Sequence, residues 1–317
     1  MQLAKDRSPA ARLEAPSSVA AVRRDGLRCV ACGGAELCFE RPYGYRSDAF
    51  RALAPGLELR RCERCALVQV DRRGIAEAAL ATYYRDSYRA DAAIGVVRSA
   101  RDRAWFEARG RALAALALRH LGFAPSQPLR CFELGAGYGF NLDALAVALP
   151  GSETATDELD LRASAGHIHA RARLSDGPWD VVLLSHVLEH FLDPLALLRE
   201  VRTNLRTNGL CLLEVPNEEP AMLDRHGFLE PHLSFFRLPS LRHLLAVELE
   251  AEFSILELGS AGPLVEPPPS SRVARAARAL GRCAQLAIGG ARAPRFDFAN
   301  DVPDGSRIFL RAALRAR

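Results

Sequence analysis

From residue 129 onward, short apolar runs alternate with stretches whose apolar residues recur at helical spacing. Residues 129–134 read as a strand ending in glycines, and 141–149 as a helix stopped by Pro150-Gly151. Residues 152–158 read as a second strand. Val181-Val182-Leu183-Leu184 is apolar on both faces, as a central parallel strand must be. Asp193-Pro194 supplies a cap and a first-turn proline for a helix over 195–206, with Leu195, Leu198, Val201 and Leu205 on its apolar face. Gly209 closes that helix, and 210–215 is the next strand. Two further strands are expected at 253–258 and 307–314, separated by a proline-rich turn and a helix at 272–286. Such alternation predicts an α/β fold with a doubly wound, Rossmann-like sheet.

The first third is patterned differently. Residues 1–28 lack periodicity and read as a disordered lead-in. Residues 29–72 are turn-rich, with one alternating strand at 57–61, and form a small separate unit. Residues 73–122 hold a connecting segment with Tyr83, Tyr84 and Tyr88, then a helix over 101–121 that Gly122 ends. The doubly wound domain is assigned to 123–317.

Composition narrows the class only modestly. The 317 residues are 49% hydrophobic, enough for a substantial core, and 42 basic against 38 acidic residues leave a net charge of +4. No Lys/Arg block interleaved with aromatics stands out, so a nucleic-acid partner is not expected. No stretch reaches the ~20 apolar residues that span a bilayer, and residues 1–21 lack a signal-peptide core. A soluble, cytoplasmic protein is the expectation. Of eight cysteines, Cys38, Cys131, Cys211 and Cys283 are scattered and read as small core or surface residues. The other four are paired.

Glu133-Leu134-Gly135-Ala136-Gly137-Tyr138-Gly139 joins the first strand of the sheet to a helix. Glycines there let the backbone turn tightly and approach a ligand, and the helix N-terminus favours a carboxylate. A dinucleotide fingerprint needs a small residue where Phe140 stands, which argues against that cofactor. The acid-x-G-x-G-x-G pattern instead resembles motif I of class I S-adenosylmethionine (SAM)-dependent methyltransferases. That resemblance implies that Gly135, Gly137, Tyr138 and Gly139 border the methionine half of SAM and that Glu133 helps hold its ammonium group. It also implies an acid after the second strand for the ribose hydroxyls. Asp157 and Glu158 are both in range, with Glu158 preferred. The chain between there and Asp180 is short for the family, and Asp176 is a weak candidate beside adenine.

Ser185-His186-Val187-Leu188-Glu189-His190-Phe191-Leu192-Asp193-Pro194 begins where the central strand ends, the edge at which open α/β sheets bind ligands. A histidine there can take a proton from a hydroxyl or an acidic C–H near neutral pH. His190 is the expected base and Glu189 an orienting carboxylate, with Ser185 and His186 on the donor side. The run resembles the V-L-E-H-x-x-D-P segment of bacterial small-molecule methyltransferases, continuing through Glu214-Val215-Pro216-Asn217. Pro231-His232-Leu233-Ser234-Phe235 resembles that family's entry to a late helix and makes His232 a second base or substrate contact.

Cys29-x-x-Cys32 and Cys62-x-x-Cys65 have the spacing of a closed four-cysteine zinc site, structural in role. No thioredoxin-like βαβ accompanies either pair, so a redox motif is excluded. The combination resembles zinc-containing SAM-dependent methyltransferases, among them deoxysugar C-methyltransferases, and the likeness runs from Cys29 to about Phe253. In that family the tyrosine-rich linker lies over the active site, making Tyr88 a lid contact. Those enzymes carry an extra C-terminal α/β domain for which this chain, ending at Arg317, has no counterpart. The expectation is therefore methyl transfer to a small polar acceptor, a sugar, nucleotide sugar or other biosynthetic intermediate, with SAM and structural Zn²⁺. Its rivals are an RNA or protein methyltransferase and a non-catalytic SAM-fold scaffold.

Overall fold

A computed structural model of the chain describes residues 26–45, 47–53, 56–88, 97, 99–121, 128–157, 168–218, 231–264, 298 and 306–317. Two sheets organise these residues. The larger has seven strands: β4 (Arg130–Leu134), β5 (Glu153–Thr156), β6 (Ile168–Ala170), β7 (Trp179–Ser185), β8 (Leu205–Pro216), β10 (Phe253–Leu264) and β11 (Arg307–Ala316), in the order β10-β11-β8-β7-β4-β5-β6. The five strands from β8 to β6 are parallel, while β11 runs antiparallel to both β8 and β10. Chain order moves outward from β4 to β5 and β6, then reverses to β7 and β8. The β4–β7 boundary is therefore the topological switch point, where ligands of such sheets sit.

β4 and β7 are central because both faces are apolar: Cys131, Phe132 and Val181 to Leu184 are essentially inaccessible. Helix α3 (Ala100–Leu121) packs against α4 (Phe140–Ala148), and one glycine permits it. A Cβ on Gly110 would lie 2.6 Å from the Phe140 carbonyl oxygen. Phe140 itself stacks on Phe106, centroids 5.8 Å apart.

The predicted strands of this sheet and the helices expected at 141–149 and 195–206 are present, with shifted ends. The helix expected over 195–206 is α5 (Pro194–Asn204). Asp193 caps it through the Ala196 N–H (2.8 Å). Leu205 is already extended, its side chain buried beside Trp179, so β8 begins earlier than Gly209 suggested. The late strands are also longer than expected. The lead-in up to residue 25, Gly122, Glu158, Cys283 and the helix at 272–286 lie outside the described residues.

The smaller sheet has the order β1 (Leu37–Pro42), β2 (Glu58–Cys62), β3 (Val68–Val70) and β9 (Ser234–Phe235). Its last strand is distant in sequence and comes from the histidine-bearing Pro231–Phe235 run. Short helices α1 (Asp48–Leu53) and α2 (Glu77–Asp86) flank it. Within the segment read above as a connector, Glu77–Asp86 is helical, and Tyr84 lies four residues before Tyr88. α6 (Leu238–His243) follows β9 and continues as a wider helical turn to Glu248. The cysteine knuckles and the α6 leucines share one apolar core with the large sheet.

Candidate active site

The turn after β4 has the predicted geometry: Gly135, Gly137 and Gly139 have φ of 64°, 56° and 78°, a region that side-chain-bearing residues avoid. Glu133 ends β4 at 1% exposure. Its Oε1 accepts from Asn141 Nδ2 (2.6 Å), while Oε2 has no hydrogen-bond partner among the described residues. Burial pushes this carboxyl up to about 7, against the opposing pull of Asn141 and Arg109. Asp157, directly after β5, accepts the Gly135 N–H at 2.7 Å. Tyr138 stacks near Phe140 at 6.0 Å.

Across the switch point, β7 ends at Ser185, and His186 takes a left-handed backbone (φ 57°). For a non-glycine residue that conformation is uncommon and concentrates at functional sites. His186 stands between two carboxylates, Nδ1 3.6 Å from Glu189 and Nε2 3.6 Å from Glu214. Glu214 is fully buried and bonds to both Arg109 of α3 and Arg311 of β11. Burial alone would raise its pKa, but Arg109, Arg311 and His186 together hold it well below the carboxylate range. Arg109 also donates to Ser185 Oγ.

Glu189, His190 and His232 meet just beyond. Their ligand atoms all lie within 4.8 Å of one another, close enough to hold a cation. Tyr84 Oη donates to the Pro231 carbonyl (3.3 Å) and lies 3.0 Å from His190 Nδ1. With the phenol proton on the Pro231 carbonyl, the Tyr84 oxygen is an acceptor for a hydrogen on Nδ1, the tautomer that leaves Nε2 basic. His232 is set likewise by Glu218, whose Oε1 accepts at 2.7 Å from Nδ1. Glu189 is 1% exposed, and neither of its oxygens accepts a hydrogen bond from a described residue. Tyr88 closes over the group, its ring 5.7 Å from His190.

The four cysteines converge as their spacing predicts. Cys29 and Cys65 sulfurs are 3.5 Å apart, Cys32 and Cys62 3.6 Å, and all four lie within 4.8 Å. A tetrahedron with metal–sulfur bonds of about 2.3 Å has edges of about 3.8 Å, so the donor set fits Zn²⁺. A Cβ on Gly34 would press on two of these sulfurs at 3.3 and 3.4 Å. Among the scattered cysteines, Cys131 and Cys211 are core residues whose thiols burial pushes up to about 12.

The sequence pattern thus brings together Glu133, the glycines, Asp157, Ser185, His186, Glu189, His190, His232 and Tyr88. It named Tyr84 and Glu214 only as members of longer runs, without a role, and did not name Glu218, Arg109 or Arg311. Tyr84 had a readable signal in its helical spacing to Tyr88, and Arg109 in being a charge on an otherwise apolar helix face.

Comparison with known proteins bears on this geometry. A family model described as "Methyltransferase domain" matches residues 100–257, about half of the chain, from α3 into β10. The matched segment contains the glycine turn and the histidine cluster. This is a SAM-dependent methyltransferase. Among solved structures, the methyltransferase is similar to the Burkholderia thailandensis 1,6-didemethyltoxoflavin-N1-methyltransferase with bound 1,6-didemethyltoxoflavin and S-adenosylhomocysteine (SAH). Identity there is 16%, with 87% of this chain and 99% of that one covered and a TM-score of 0.48. It is also similar to the plantazolicin methyltransferase BpumL in complex with a triazolic desmethylPZN analog and SAH, at 16% identity, 76% and 95% coverage and a TM-score of 0.46. The search of curated proteins gives no match. No helix among the described residues is long and apolar enough to cross a membrane.

Proposed function

We propose that the methyltransferase acts on a small polar acceptor, a sugar or another biosynthetic intermediate, and that His190 is its general base. The observation that carries this reading is the Pro231–Tyr84–His190 chain, which suits the His190 tautomer with its basic nitrogen on Nε2, beside Glu189 and His232. When bound, SAM supplies a methyl group already activated on sulfonium. The protein then has to align a nucleophile with it and remove one proton.

In this reading the buried Glu133 carboxylate receives the ammonium group of the donor, and the turn of Gly135, Gly137, Tyr138 and Gly139 accommodates its methionine end. Asp157 faces the ribose hydroxyls. Its place directly after β5 and its bond to Gly135 favour it over Glu158, which lies outside the described residues. Ser185 and His186 border donor and acceptor, Glu189 and His232 orient the acceptor, and Tyr88 covers it. Residues 29–72 form a zinc ribbon through Cys29, Cys32, Cys62 and Cys65, with 73–122 as linker and 123–317 as the catalytic domain. Incubation with SAM and candidate acceptors, read as a gain of one methyl mass, tests the reading. Mass gain that His190→Ala leaves undiminished would remove His190 as the base.

A further inference from the structure

Gln69 sits in the middle of β3 with no solvent exposure. A buried amide is costly unless its hydrogen bonds are made, and Gln69 makes them with one short piece of backbone. Its Oε1 accepts from Val30 N (2.9 Å) and its Nε2 donates to Arg28 O (3.1 Å). These two residues flank Cys29, so the side chain grips the first knuckle from both sides. The backbone of Gln69 is in register with Ser234 across the β3–β9 pair. One position further, Val70 N donates to Leu233 O (2.9 Å), and Leu233 N donates to Glu189 O (2.8 Å). Arg72 adds bonds to Leu233 O (3.2 Å) and Ser234 Oγ (2.6 Å), and Tyr43 Oη donates to His232 O (2.9 Å). A strand of two residues specifies its register weakly by itself. The partner strand must supply it.

We propose that Gln69 is a positioning residue that couples metal binding at the knuckle to the geometry of the His190–His232 cluster. The metal-bound knuckle fixes Arg28 to Val30, these hold Gln69 and β3, and β3 sets Leu233 and Ser234. His232, the preceding residue, is thereby held opposite Glu189. The glycine turn lies on β4 in the other sheet and is outside this path, so donor binding is not coupled. The functional consequence rests on reading the cluster as the acceptor site; the mechanical coupling does not.

Hydrogen–deuterium exchange on the full chain tests it with no acceptor present. The samples are the zinc-loaded protein, the same protein treated with a chelator, and zinc-loaded Gln69→Met, which keeps side-chain size and removes both bonds. In Gln69→Met, exchange is expected to rise about tenfold at 28–34 and at 231–237, the scale of one to two lost hydrogen bonds. Residues 130–139 should be unchanged, SAH affinity should stay within about twofold, and zinc should pass faster to a chromogenic chelator. Chelator treatment should raise exchange at the same two segments. If exchange rises at 28–34 while 231–237 stays protected in Gln69→Met, the coupling is wrong. A uniform rise with loss of SAH binding in that variant would equally overturn it, since Gln69 would then be a general core residue. Failure of the acceptor reading would show separately, as turnover indifferent to His190→Ala while the exchange pattern holds.

Discussion

The two halves of the proposed site are built by different means. The methionine end of the donor half is one continuous stretch, Glu133 to Asn141, whose shape comes from three glycines with positive φ and a helix start. The acceptor half is assembled from pieces far apart in the chain. The Tyr84–His190 bond joins residues 106 apart, and Tyr43 reaches the His232 carbonyl across 189. Backbone conformation makes the first half, whereas tertiary packing makes the second. They should therefore fail independently.

The largest effect comes from breaking each half alone. His190→Ala is expected to lower turnover about 10²–10⁴-fold, the usual worth of a general base, with SAH affinity retained. Gly135→Val should do the reverse. Its side chain would need a left-handed backbone and would meet Val187 Cγ2, whose distance from a Cβ there is already 3.3 Å. SAH binding by calorimetry should be lost in that variant while thermal unfolding stays cooperative. Loss of SAH binding in both variants would mean the halves are one unit.

Glu214 is where the halves share support. Its carboxylate ties α3, which packs on the donor turn, to β11, and it faces His186 from below. Glu214→Ala leaves two buried guanidinium groups without their counter-charge and should cost about 3–5 kcal/mol in denaturant unfolding. A loss under about 1 kcal/mol would show that the arginines find other partners.

This asymmetry also explains what sequence alone could convey. Gly135-x-Gly137-x-Gly139 after an apolar strand specifies its own conformation, so the turn was readable to the residue, whereas the acid after the second strand was not. The Cys29/Cys32 and Cys62/Cys65 spacing was equally local. Glu189, His190 and His232 were legible as candidates through their place in the chain, but not their partners. Nothing near Glu218 indicates that it holds the His232 ring, and nothing near Gln69 indicates that β9 pairs beside it. A two-residue strand has no periodicity to read. β1 and the helical character of 77–86 were missed because both are short and weakly patterned; the helix is held by the aromatic cluster of Tyr43, Tyr45, Phe50 and Tyr83, and β1 by Leu37 in the main core.

Glu133 provides a subtler probe of the donor half. Its folded-state pKa of about 7 lies above the ordinary value of 4.5, so the folded protein binds this proton more tightly than the unfolded chain does. Stability therefore falls as pH rises from about 4.5 to about 7, and the cost is fully present above that. Glu133→Gln keeps an acceptor for Asn141 and removes the charge. It should be more stable than the parent by up to about 3 kcal/mol above pH 7, with the difference vanishing near pH 4. The same change should weaken SAM binding, because a neutral amide cannot pair with an ammonium group. A variant that gains no stability at pH 8 would show that Glu133 is not charged and buried there.

The smallest effect sharpens the acceptor half. Tyr84→Phe keeps the ring contacts with Tyr88 and His190 but removes the oxygen 3.0 Å from His190 Nδ1. His190 stays in place with its tautomer no longer set, so part of the population presents Nε2–H to the acceptor and cannot take a proton. The cost should be about 1 kcal/mol, the net worth of one hydrogen bond, or roughly a fivefold drop in kcat. SAM affinity should not change. Equal losses in kcat and SAM affinity would mean that Tyr84 acts through packing, and that the two halves are less separate than their construction implies.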